Sequence, residues 1–77
     1  MNIKDKAALA RNLSQDETFM EILHVIRGRQ TNVFLDSQSP IETIKQAHDI
    51  IRALNLIENQ FHTVFADEAI YDKKHKD

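Results

Sequence analysis

The stretch after Pro40 constrains the fold most, because it contains neither glycine nor proline as far as the end of the chain. These two residue types are the strongest local breakers of regular structure. Apolar residues recur from Ile44 to Phe65 at intervals of three and four, the spacing of an amphipathic helix. At about 100° per residue they cover roughly half of the helix circumference. The spacing therefore predicts one long helix with an apolar face wider than a single neighbouring helix can bury.

Two serine-containing patterns predict where helices begin. Ser14 with Glu17 forms a capping box, and Ser39 precedes Pro40 and Glu42 in a second start pattern. The predicted fold is all-α, a short N-terminal helix followed by a long antiparallel helical hairpin in a single domain. Its predicted parts are a short helix over 1–13, a helix over 14–36, a helix over 39–70 and a charged tail over 71–77.

The size of the chain favours association with further copies. With 77 residues and no cysteine, it has a thin core and no disulfides, and small folds of this kind commonly rely on oligomerisation. The wide apolar face of the third segment points the same way. We expect the hairpin to oligomerise into a helical bundle through Ile50, Ile57, Phe61 and Val64.

Composition disfavours several functional classes. Ten basic against 12 acidic residues give a net charge of -2, whereas a duplex-binding protein usually carries a basic excess. No apolar run approaches the ~20 residues of a membrane span, and we recognise no signal peptide at the start. No catalytic constellation or cofactor motif is present, and the four histidines lack the spacing of metal ligands. We therefore expect a non-enzymatic protein without cofactor or metal, located in a cytosol or in an assembly formed there.

Arg29 interrupts the apolar pattern of the second segment, and Gly28, the only glycine, precedes it. A guanidinium on an apolar face is costly unless it is paired or reaches solvent. Three interpretations remain open. Gly28 could kink the helix so that Arg29 reaches solvent, Arg29 could pair with Glu58 across an oligomer interface, or Arg29 and Gln30 could line an anion or ligand pocket between subunits.

A polar row forms a second candidate site. In an antiparallel hairpin His48 and Arg52 lie one turn apart on one face, near Arg27 of the other arm. The row is either a solvated outer face or, if subunits bring two rows together, a phosphate site. The acidic group Asp67, Glu68 and Asp72 is interpreted as a solvated charged end.

Several short sequences carry a resemblance to a known group. They are Ala10-Arg11-Asn12-Leu13, Glu17-x-Phe19-x-Glu21-Ile22-Leu23, Ala47-His48-x-Ile50-Ile51-Arg52-Ala53-Leu54 and Asp67-Glu68-Ala69-Ile70. Together they resemble small helical proteins encoded by tailed phages and prophages. The resemblance implies a viral origin and, by context, a virion or packaging accessory role with a phage or host protein as a partner.

Three functional hypotheses follow. The first is a non-enzymatic oligomeric interaction protein of phage type. The second is an immune-evasion protein that sequesters a nucleotide second messenger at subunit junctions, with Arg29, Gln30, Arg27, His48 and Arg52 as ligand-binding residues. The third is a small DNA-packaging or regulatory subunit, which the missing basic recognition helix disfavours.

Overall fold

The computed structural model describes residues 1–75, and within them the chain forms three α-helices. Helix α1 spans Ile3–Ser14, α2 spans Glu17–Leu35 and α3 spans Ile41–Lys74. The all-α prediction is confirmed. At 1.5 Å per residue, the 34 residues of α3 extend about 50 Å.

Helices α1 and α2 lie one after the other along α3, and both run antiparallel to it. Near the hairpin, Arg27 of α2 contacts Asn55 of α3, whereas Lys4 at the start of α1 contacts Asp72 at the end of α3. The molecule is a rod of 60 × 22 × 18 Å with a radius of gyration of 17.0 Å. A compact chain of this length would have a radius of about 11–12 Å. The first arm of the hairpin is therefore two helices, and only one layer of helices backs α3.

The helix starts differ from the predicted ones. Asp16, not Ser14, is the N-cap of α2, and its carboxylate accepts from the Phe19 backbone N–H at 2.7 Å. The Ser14 hydroxyl instead donates to the Arg11 carbonyl at 3.0 Å, and Ser14 is the last residue of α1. Because Ser14 still belongs to α1, the extended backbone of an N-cap falls on Asp16 instead, and α2 begins three residues later than predicted.

The start of α3 shows a similar shift. Pro40 is the N-cap, and no side chain caps this helix. The Ser39 hydroxyl donates to the Val33 carbonyl at 2.8 Å and ties the turn back to α2. The predicted capping role of Ser39 is therefore wrong. At the other end, α3 continues to Lys74, through most of the segment predicted as a tail.

The core of the rod is thin. Within the described residues, the buried apolar side chains are Ala7, Leu23, Ala47, Leu54 and Val64. Aromatic residues extend this core at the break between α1 and α2. Phe19 of α2 meets Phe61 of α3 edge-on with centroids 6.3 Å apart, and Phe61 stacks on Phe65 of the same helix at 6.5 Å. The pair of Phe19 with Phe61 favours the antiparallel register by more than its buried area alone.

Candidate association surface

The two long sides of the rod can be told apart from helix geometry and one contact. Arg27 lies four residues after the buried Leu23, and Glu58 lies four residues after the buried Leu54. On each helix the buried residues form a stripe that faces the neighbouring helix. A residue four positions after a buried residue lies on one flank of this stripe, and a residue three positions after it lies on the other flank. Arg27 donates to Glu58 at 2.5 Å and to Asn55 at 3.1 Å. The flank of α2 that carries Arg27 and the flank of α3 that carries Glu58 therefore lie on the same side of the rod, which we call the charged side.

The charged side also fixes α1 on α3. Glu68 is only 6% exposed, yet it is an acidic residue. The guanidinium of Arg11 binds its carboxylate, and Lys4 lies 3.0 Å from the other carboxylate oxygen. Lys4 also reaches Asp72 at 2.9 Å, and Arg11 lies 5.7 Å from the centre of the Phe65 ring. A buried carboxylate needs such partners, so the cluster holds α1 in place.

The interpretation of this acidic group as a solvated end is wrong for Glu68. The sequence indicates the burial of Glu68, because Glu68 lies two heptads after Leu54 and so falls on the same buried stripe of α3. Lys4 and Arg11, one heptad apart, lie on one flank of α1 and supply the two cations. What the sequence alone could not show is that α1 packs at this end of α3.

The opposite side of the rod is apolar and uncovered. Ile50 and Ile57 lie four residues before and three residues after Leu54, and Ile22 lies one residue before Leu23, so all three are on the flank away from Arg27. In α1, Leu13 lies about 200° from Arg11 and joins the same side. We define the apolar side by its exposed members: Leu13 (44%), Ile22 (51%), Ile50 (38%) and Ile57 (40%).

Two of the residues predicted for the oligomer interface belong to this side, and two do not. Ile50 and Ile57 are more than a third exposed. Val64 is only 5% exposed, because α1 covers it, so it is a core residue with no surface to offer. Phe61 is half-buried between Phe19 and Phe65. Val64 and Phe61 are therefore not among the exposed members of the apolar side, which instead include Ile22 and Leu13.

Arg29 is exposed and lies one heptad after Ile22, on the apolar side. Helix α2 runs unbroken through Gly28, whose φ is not positive. Glu58, which the sequence offered as a partner for Arg29, is bound by Arg27 of the same chain. Among residues 1–75 the ion pairs do not include Arg29. The cation reaches solvent at the edge of an apolar surface.

The five residues predicted to bind a ligand are not brought together. His48, Arg52 and Asn55 follow one face of α3 at helical spacing, and Arg27 contacts Asn55, so this group lies on the charged side. Arg29 lies on the other side. The half-buried Gln30 uses its amide to donate to the Ile26 carbonyl at 2.9 Å. A single anion could not reach all of them within one chain.

Open grooves occur elsewhere on the rod. One of 410 Å³ lies between the ends of α1 and α3, beside Ile3 and Tyr71. Another of 360 Å³ lies where the first arm breaks, beside Met20, Phe61 and Phe65. None of the five predicted ligand residues lines either groove. Within residues 1–75, no group of three or more His, Asp or Glu side chains could hold a metal ion.

The surface of the rod is larger than a monomer of its mass usually exposes. Its accessible surface is 6124 Å², whereas a compact monomer of 8.9 kDa exposes about 4,800 Å². The surplus of about 1,300 Å² exceeds the ~800 Å² that each partner contributes to a standard interface. The exposed apolar residues therefore lie on a molecule with enough uncovered area to associate.

Comparison with models of protein families, with curated proteins and with solved structures finds no match to this chain. Across the part of the chain that the structure describes, no helix is both long enough and apolar enough to cross a membrane.

Proposed function

We propose that this chain is a non-enzymatic helical interaction protein that works as a homo-oligomer. The observation that carries the proposal is the apolar side of the rod, where Ile22, Ile50 and Ile57 are exposed together on adjoining helices. Contiguous exposed apolar surface of this kind marks association sites in proteins that are otherwise well packed. A second layer of helices on this side completes a four-helix bundle, in which every helix has an apolar neighbour on two sides.

The resemblance of the sequence to small proteins of tailed phages suggests the setting of this role. An elongated helical oligomer suits an accessory function in particle assembly or packaging, where a repeated surface contacts another phage or host protein. Its place is then the host cytosol or the virion. Sequestration of a nucleotide and a role as a DNA-packaging or regulatory subunit stay predictions from the sequence, and no contact among residues 1–75 favours either.

The proposal is tested by the mass in solution. Multi-angle light scattering across a range of concentrations should give a multiple of 8.9 kDa for the unmodified chain. In Ile50→Glu the mass should fall towards that of a single chain, because a carboxylate buried in an apolar interface loses its hydration. Since Ile50 is 38% exposed within the chain, the helical circular dichroism of this variant should persist.

Leu56→Glu is the matched control, since Leu56 is 69% exposed and lies about 200° from Leu54, on the outer face of α3. It introduces the same charge into the same helix and should keep the mass of the unmodified chain. A monomeric unmodified chain, or equal masses for the two variants, contradicts the proposal.

A further inference from the structure

We infer that two copies pack through their apolar sides in an antiparallel, two-fold arrangement, with the two Ile57 side chains adjacent at the axis. The inference rests on the proposed function and specifies the partner and the orientation for that same surface. Three features of the rod carry it: the position of Ile57 along α3, the area available, and the distribution of charge between the two ends.

Ile57 lies at the middle of α3, which spans Ile41–Lys74. A two-fold axis that crosses the rod at this level turns one copy end for end and overlaps the two rods along their whole length. Helix α3 then lies on α3 of the second copy and α2 on α2, so every neighbouring pair of helices is antiparallel, as in up-and-down four-helix bundles. Ile22, which faces the same side as Ile57, repeats the contact between the α2 helices.

The face of the rod that carries the apolar side is large enough for a dimer interface. The rod measures 60 × 22 Å across its two larger dimensions, so this whole face, including the polar residues around the apolar side, has a footprint on the order of 1,300 Å² against the ~800 Å² per partner of a standard interface. A face of this size used twice by a two-fold axis makes an isologous interface, which closes at two copies.

The charges of the two ends decide between the antiparallel and the parallel arrangement. The hairpin end, residues 36–49, carries Asp36, Glu42 and Asp49 against one basic residue, Lys45, and has a net charge of -2. The opposite end, formed by residues 1–11 and 67–75, carries five basic and four acidic side chains and has a net charge of +1. Antiparallel packing lays each acidic end beside the basic end of the other copy. Parallel packing would juxtapose the two acidic ends, which is unfavourable.

Cysteine cross-linking tests the arrangement directly, because the natural chain contains no cysteine. A disulfide requires Cβ atoms about 3.5–4.5 Å apart, so a residue cross-links to its own copy only near a two-fold axis. We expect Ile57→Cys to form a covalent dimer under mild oxidation at least about tenfold faster than Leu56→Cys. Leu56 is the more exposed neighbour, at 69%, but it faces away from the apolar side.

Ile50→Cys, one heptad before Ile57 on the apolar side and 38% exposed, reports the orientation. It should cross-link as slowly as Leu56→Cys when the rods are antiparallel, since an axis at Ile57 places the two copies of residue 50 about 20 Å apart along α3. Circular dichroism and light scattering of the reduced variants verify that each retains its fold and mass.

The possible outcomes test the proposed function and the antiparallel arrangement separately. A reduced chain with the mass of a monomer removes the proposed function and this inference together. A dimer in which Ile57→Cys reacts no faster than Leu56→Cys overturns the inference but leaves the proposed function standing. Cross-linking of Ile50→Cys as fast as that of Ile57→Cys overturns the antiparallel orientation, because only parallel rods place both residues at the level of their own copies.

Discussion

Replacement of Arg11 by alanine is the sharpest test of how the first helix is held. Arg11 binds the carboxylate of Glu68, which is only 6% exposed, while Lys4 lies 3.0 Å from the other carboxylate oxygen. The variant leaves this buried charge with one cation instead of two. We therefore expect Arg11→Ala to destabilise the fold through a carboxylate that has lost part of its compensation.

The magnitude follows from the contacts that are lost. A hydrogen bond to a charged group contributes about 1.5–3 kcal/mol, and the contact of Arg11 with the Phe65 ring at 5.7 Å adds about 0.5–1 kcal/mol. Lys4 remains and offsets part of the loss. The free energy of unfolding should fall by about 2–3 kcal/mol, which for a domain of this size lowers the melting temperature by roughly 10–20 °C.

Thermal unfolding followed by circular dichroism measures the effect, with all variants at one protein concentration because association raises apparent stability. Arg52→Ala is the control, since Arg52 is exposed and belongs to none of the ion pairs formed by residues 1–75. It should change stability by less than about 0.5 kcal/mol. Adding Glu68→Gln to Arg11→Ala removes the under-compensated charge and should recover part of the loss. Equal effects of the two arginine substitutions would refute the reasoning.

Two further substitutions test local structure, each by the same unfolding measurement. Asp16→Ala should cost about 1 kcal/mol through the loss of the N-cap of α2, whereas Ser14→Ala should cost less. The reverse order would mean that Ser14 starts the helix, as the sequence suggests. Gly28→Ala should stabilise the chain by about 0.5–1 kcal/mol, since Gly28 is helical and a Cβ there meets nothing within 4 Å. Destabilisation would show that α2 needs the glycine for a bend.

The helices themselves were predictable, because the scarcity of glycine and proline leaves few places where a helix of this chain can end. Their starts were less so. Between α1 and α2 the sequence offers two capping residues two positions apart, Ser14 and Asp16, and both have the chemistry of an N-cap. The choice depends on where the previous helix ends, and α1 includes Ser14, so the extended N-cap backbone falls on Asp16.

The partner of Glu58 could not be assigned for a different reason. Arg27 and Arg29 are two residues apart and lie on opposite flanks of α2, so which of them meets Glu58 depends on the rotation of α2 against α3. The rotation is set by all the apolar contacts of the two helices together, including the edge-on meeting of Phe19 with Phe61. Residue spacing shows that an arginine meets Glu58, whereas only the packed structure shows that it is Arg27.

The distribution of these ion pairs also bears on the direction of association. Arg27 with Glu58, and Arg11 with Glu68, are on one side of the rod, so these four charges already have partners within the chain. Covering that side would desolvate satisfied charges with little gain. Ile22 and Ile57, on the other side, have no such partners and gain about 25 cal/mol for each Å² removed from water. The rotation of the helices places the paired charges on one side of the rod and the exposed apolar residues on the other. A second chain is therefore expected to bind on the apolar side.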